Sequence, residues 1–126
     1  FFSFDKILLD APCSGSGTLA VGEYGITSKF TKELITRSAK TQEELLKKAI
    51  KLLKPGHEMI YSTCSILELE NEKSLKKVLG KQAEIVPLDQ AMFSGVTYLP
   101  VKVPGTLCVC PDELYEGFFV AKIRKK

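Results

Sequence analysis

Two cysteines and one carboxylate stand where apolar runs give way to turns. Asp10-Ala11-Pro12-Cys13-Ser14-Gly15-Ser16-Gly17-Thr18 follows Ile7-Leu8-Leu9, and Ser62-Thr63-Cys64-Ser65 follows Met59-Ile60-Tyr61. Each run reads as a buried strand closed by a turn. In open α/β sheets ligands sit outside the carboxyl ends of strands, so Asp10, Cys13 and Cys64 are candidates for one cleft. The thiolate is the reactive form of cysteine, and loop amides or a helix N-terminus favour it. Taken singly, each cysteine is a small buried hydrophobe, with Thr63 and Ser65 satisfying nearby backbone groups. The pair together with Asp10 points to chemistry.

Other motifs carry less. Gly15-Ser16-Gly17-Thr18-Leu19-Ala20 satisfies the dinucleotide pattern G-x-G-x-x-A, but Gly22 and Gly25 interrupt the helix that pattern requires. No lysine stands in a Walker position, and a phosphatase-type loop would need arginine where Leu19 stands. A tight loop that lets backbone approach a ligand is the better reading. His57 follows Pro55-Gly56 and reads as a turn residue, while Cys108 and Cys110 share one strand face and read as core. Glu70-Asn71-Glu72 reads as a helix start, where acids suit the dipole.

The elements that must position these residues follow from periodicity. A strand is expected at about Asp5 to Leu9. A helix is expected from about Thr31 to Leu53, with Leu45, Leu46, Ala49, Ile50 and Leu53 on one stripe and Pro55-Gly56 ending it. Next come a strand at about Glu58 to Ser62, a helix from near Glu70 to Leu79, and a short strand over Glu84 to Val86. Gly95 to Gly105, with Pro100 and Pro104, reads as loop. Thr106 to Cys110 and Phe118 to Arg124 read as an antiparallel pair. The expected class is α/β, with parallel strands, helices and a C-terminal antiparallel strand pair.

With 126 residues, 44% hydrophobic and 26% charged, the chain suits one domain with a modest core. A net charge of +3 does not by itself specify a nucleic-acid partner. Four cysteines without a secretory leader, a Cys-x-x-Cys or a Cys/His zinc spacing read as reduced thiols in an intracellular protein. No apolar run reaches membrane-spanning length. The chain opens Phe1-Phe2-Ser3-Phe4 without an initiator methionine and enters a strand at once, as a piece of a longer polypeptide would.

Asp10-Ala11-Pro12-Cys13-Ser14-Gly15-x-Gly17 and Tyr61-Ser62-Thr63-Cys64-Ser65 resemble the two cysteine signatures of the NOL1/NOP2/Sun family of RNA cytosine-C5 methyltransferases. Gln42-x-x-Leu45-Leu46-x-x-Ala49 and Leu53-Lys54-Pro55-Gly56 resemble the family's helix and turn, and Glu70-Asn71-Glu72 its acidic patch. Glu116-Gly117-Phe118-Phe119-Val120-Ala121-Lys122 is similar to its closing strand, with His57 where the family tends to have a second glycine.

The resemblance implies the C-terminal half of a Rossmann-like class I methyltransferase sheet, with residues 1–126 a single partial catalytic domain. It implies S-adenosylmethionine as cofactor, most of its site lying upstream, and RNA with a flipped or single-stranded cytosine as partner. By the same resemblance Cys64 is the nucleophile that adds to C6, Cys13 assists release of the adduct, and Asp10 contacts the base edge. Asp10 and Pro12 lie beside the methyl donor; no metal and no membrane are implied. The fragment alone should bind cofactor poorly and turn over nothing. The competing readings are a non-catalytic RNA- or protein-binding remnant of the fold, and a thiol redox protein, which the wide cysteine spacing disfavours.

Overall fold

The computed structural model describes residues 2–18 and 31–126. Among these the elements are β1 (Phe4–Asp10), α1 (Lys32–Leu52), β2 (Leu53–Thr63), α2 (Glu72–Leu79), β3 (Ala83–Val86), β4 (Tyr98–Leu99), β5 (Leu107–Val109) and β6 (Phe118–Lys125). The expected Gly22 and Gly25 interruption lies outside the described residues.

Helix α1 starts where Thr31 caps it, its Oγ1 accepting from the Leu34 amide at 3.0 Å. Its inner face buries Ala39, Gln42, Leu46, Ala49 and Ile50, and fully burying a leucine such as Leu46 is worth about 1.5–3 kcal/mol. Leu45 sits half-buried at the margin of this stripe, and Lys47, Lys48 and Lys51 face solvent. The helix stops at Leu52 because proline at 55 lacks an amide hydrogen and biases the residue before it away from helix. Leu53 is already extended, at φ −78 and ψ 135.

β1 and β2 are parallel, joined by α1 as the crossover. Their register pairs Phe4 with Leu53 and then Lys6 with Glu58, so the Pro55-Gly56 segment bulges out as a turn. From there the ladder is regular up to Asp10 opposite Ser62. β6 runs antiparallel along the other side of β2. Its free edge is long enough for two partners, β3 near its carboxyl end and β5 near its start, and β5 carries β4 in turn. The sheet order is β1-β2-β6-β5-β4, with β3 also on β6.

Both helices lie on one face. Alternation sends Met59, Tyr61, Phe119, Ala121 and Ile123 to that face, where they meet Leu46, Ile50, Leu75, Val78 and Leu79 in one buried cluster. Tyr61 and Phe119 meet edge to face at 6.4 Å.

The α/β class and the β5–β6 pair match expectation, and two details do not. Within this chain β1 is only partly buried: Ile7 and Leu9 reach the core, and Leu8 is 72% exposed on the opposite face. Tyr98–Leu99, inside the expected loop, forms a short strand against Cys108 and Val109. None of the described helices is long and apolar enough to cross a membrane.

Candidate active site

The parallel register carries the two cysteine segments to the same end of the sheet. Asp10 and Ser62 are directly paired, the Ser62 hydroxyl donates to Asp10 Oδ1 at 3.0 Å, and the Ala11 amide donates to the Ser62 carbonyl at 2.8 Å. Beyond this last rung both strands turn, and Cys13 Sγ comes to lie 2.9 Å from Cys64 Sγ. The Gly15 amide points back at Cys13 Sγ, at 3.3 Å.

The two loops are laced together behind the sulfurs. The Gly17 amide donates to the Cys64 carbonyl at 2.8 Å, and the Gly117 amide donates to the Gly17 carbonyl at 2.7 Å. The Ser16 and Ser65 hydroxyls lie 3.0 Å apart, and the Ile66 amide donates to Ser16 Oγ at 2.9 Å. A Cβ on Gly17 would stand 2.3 Å from the Gly117 carbonyl oxygen and 2.6 Å from that of Cys64. The glycine loop therefore permits a close backbone approach, but the described partner is the lead-in to β6.

Buried polar side chains complete the frame. Asn71 Oδ1 accepts from the Thr63 hydroxyl at 2.6 Å, and its Nδ2 donates to the Ser65 carbonyl at 2.8 Å. The Glu70 carboxylate accepts from the Ser14 amide at 2.6 Å and the Ser65 hydroxyl at 2.9 Å, and from the Ser14 hydroxyl. Gln42 Nε2 donates to the Pro12 carbonyl at 2.8 Å and lies 3.4 Å from Glu70 Oε2. Glu70, Asn71 and Gln42 are all fully buried.

Burial pushes the Cys13 thiol well above the usual cysteine range, and its hydrogen bond to Cys64 adds to the rise against an opposing Gly15 amide. Either sulfur can donate across the 2.9 Å contact. Asp10 and Pro12 are both exposed; Asp10 Oδ2 has no hydrogen-bond partner among the described residues, leaving it open to a ligand.

The residues singled out from sequence thus fall into two groups. Asp10, Pro12, Cys13 and Cys64 converge at one end of β1 and β2. His57 lies at the other end of β2, its ring 3.1 Å from the Pro55 carbonyl and 3.6 Å from Asp5. Cys108 is buried in the core, and Cys110 lies just past β5. Asn71 is the N-cap of α2 and Glu72 the acid of its first turn, as a helix start requires, while Glu70 lies just before the helix and is fully buried. The local signal in the sequence, acids before a helical stripe, could not say that they turn inward. Among the described residues no group of three or more His, Cys, Asp or Glu side chains could hold a metal ion.

Comparison with known proteins shows the family. Residues 2–124 match the family described as 16S rRNA methyltransferase RsmB/F. The ribosomal RNA small subunit methyltransferase F of Vibrio vulnificus is 40% identical over 128 residues, covering 98% of this chain and 26% of the relative. That of Serratia proteamaculans is 39% identical over 127 residues, with the same coverage. The chain thus spans about a quarter of the length of these curated relatives. A solved methyltransferase homolog from Pyrococcus horikoshii superposes with a TM-score of 0.77 at 36% identity, covering 99% of this chain and 40% of that one. NSun6 from the same organism, solved with SFG, gives 0.77 at 31% identity over 98% of this chain and 30% of its own. With residues 2–124 matched, a span that includes both cysteine segments and most of the closing strand, this chain belongs to the 16S rRNA methyltransferase RsmB/F family, within the NOL1/NOP2/Sun group.

Proposed function

We propose that the chain is the cysteine-bearing part of the catalytic domain of an RNA (cytosine-C5) methyltransferase that uses S-adenosylmethionine and acts within a longer polypeptide. The observation that carries this reading is the convergence of Cys13 and Cys64, 2.9 Å apart, beside Asp10 at the carboxyl end of a parallel strand pair.

Carbon 5 of cytosine is a poor nucleophile. The Cys64 thiolate adds to C6 and pushes the ring electrons toward C5, making an enamine-like carbon. Asp10, exposed and with one oxygen unpartnered among the described residues, meets the base edge and favours protonation at N3. S-adenosylmethionine, when bound, supplies the methyl group that the activated C5 takes. Asp10 and Pro12 are the residues here that would face it; both are exposed at the strand end where such ligands sit. A general base, water or a neighbouring carboxylate, then takes the C5 proton; the C5–H electrons re-form the C5–C6 double bond, and the C6–sulfur bond breaks with its electrons leaving on Cys64. Cys13, still protonated, donates to the departing sulfur and stabilises it as thiolate. A base within a duplex cannot reach such a site, so the cytosine is flipped or single-stranded. Ribosomal RNA of the small subunit is the first substrate to test, since the relatives carry that activity in their names.

The test is transfer of a labelled methyl group to small-subunit rRNA by the full-length polypeptide, with a denaturing gel for protein–RNA adducts. Cys64→Ala should abolish transfer, and Cys13→Ala should trap an adduct. Binding of RNA without transfer by the wild type would favour a non-catalytic remnant. An adduct trapped by Cys64→Ala instead would reverse the two roles.

A further inference from the structure

We infer that Glu70 is a positioning residue that sets the separation of the two cysteine sulfurs; its kinetic consequence rests on the two-cysteine reading above. A fully buried carboxylate persists only where donors replace water. Those around Glu70 are uncharged, and each belongs to the cysteine segments or to the residue that holds one of them. Ser14, which gives both its amide and its hydroxyl, directly follows Cys13. Ser65, which gives its hydroxyl, directly follows Cys64. Gln42 ties the carboxylate to the Pro12 carbonyl, on the other side of Cys13.

The carboxylate is in turn fixed from behind. The Tyr61 hydroxyl donates to the Glu70 carbonyl at 3.3 Å, and the Glu70 amide donates to the Leu67 carbonyl at 3.1 Å. Two loops whose cysteines are 51 positions apart are therefore referenced to one side chain. A carboxylate suits this task because its two oxygens offer about four acceptor sites. An amide at 70 can imitate it: its oxygen can take the Ser14 amide and Gln42, while its NH2 donates to the two serine hydroxyls, which can turn to accept. Alanine at 70 leaves those donors unanswered and frees the Cys13 loop to move.

Two measurements on the full-length polypeptide test this. The first needs no RNA. Diamide, an azo oxidant, takes two hydrogens from neighbouring thiols, forming their disulfide while its N=N bond is reduced to a hydrazide. Peptide mapping then reads the rate of Cys13–Cys64 linkage. Wild type and Glu70→Gln should link rapidly, and Glu70→Ala at least about tenfold more slowly. The second is methyl transfer with adduct detection. A misplacement of about 1 Å can cost a hundredfold in rate, so Glu70→Ala should lose about that factor in kcat with KM for RNA little changed. It should also accumulate adduct, because Cys13 no longer reaches the departing sulfur; Glu70→Gln should recover most of the rate.

A merely destabilised enzyme would lose transfer and adduct together, in step with its folded fraction. If Glu70→Ala does not fold, Ser14→Ala, which removes one tie, should show slower linkage and raised adduct. Unchanged linkage in the folded Glu70→Ala protein, or in Ser14→Ala where the former does not fold, overturns the proposal. If linkage slows as expected but Cys13→Ala traps no adduct, the two-cysteine reading fails and the positioning role of Glu70 stands.

Discussion

Cys13 Sγ and Cys64 Sγ share a 2.9 Å contact that, together with burial, raises the Cys13 thiol above its ordinary value. Burial is the larger cause of the raised Cys13 value and the hydrogen bond to Cys64 the second. Removing Cys64 should therefore lower the Cys13 value only part of the way. In Cys64→Ala, alkylation of Cys13 by iodoacetamide should have its midpoint above the free-cysteine value of about 8.5. Rate against pH, followed by peptide mass spectrometry, checks this. A midpoint at or below the free value would mean that the loop amides, and not burial, govern this sulfur.

The junction of Gly17 with Gly117 is a contact between backbones. An alanine at 17 meets two carbonyl oxygens that cannot swing away, whereas an alanine at 117 meets Ile66 Cγ2 at 2.5 Å as well as Gly17 Cα at 2.8 Å. Overpacking of this kind typically costs about 1–3 kcal/mol, and both variants should melt earlier than the wild type. Truncating the side chain in Ile66→Ala should relieve part of the loss in Gly117→Ala and none of that in Gly17→Ala. Thermal denaturation of the singles and doubles reads the difference.

Asn71 joins Thr63 before the second cysteine to Ser65 after it. Asn71→Asp keeps the acceptor for the Thr63 hydroxyl but turns an oxygen toward the Ser65 carbonyl. A buried group left without its partner costs about 1–3 kcal/mol. Asn71→Asp should lower the denaturant midpoint accordingly, at pH where the new carboxyl is ionised, and recover some of it at acid pH, where a protonated carboxyl can donate. A midpoint equal to wild type at neutral pH would show that Asn71 Nδ2 does little for the turn.

How much of this was legible in the sequence depended on range. The apolar stripe around Leu46 and Ile50 and the proline at 55 act locally, and α1 and its end fell close to where they place them. The pairing of Asp10 with Ser62 follows once two strand-ends are assigned to one parallel sheet. Leu8 was misread because an apolar run does not say whether a strand has neighbours on both faces. The insertion of β6 between β2 and β5 is a matter of long-range register, and no local pattern encodes it. Tyr98–Leu99 was hidden by Pro100 and the flanking glycines, which mark turns more strongly than two residues can mark a strand. That Glu70 and Gln42 turn inward was not legible, because their partners, the Ser14 amide and hydroxyl and the Pro12 carbonyl, lie far away along the chain.

Cys108 gives the last prediction. Burial first, and then the nearby Glu72 carboxylate, push its thiol from 9.0 to about 11. In the unfolded chain the same thiol ionises at its ordinary value, so between these limits the unfolded state binds fewer protons than the folded one. Stability then falls as pH rises. The contribution is complete below about pH 9 and is lost progressively as pH climbs through about 11. Tyr61, whose hydroxyl is raised by burial before any charge effect, adds to the fall at the alkaline end of the range. Cys108→Ala removes one of these groups, so its melting temperature should start lower, for loss of packing, yet decline less steeply across the same interval. Parallel slopes for variant and wild type would show that the Cys108 thiol ionises as easily in the core as in water.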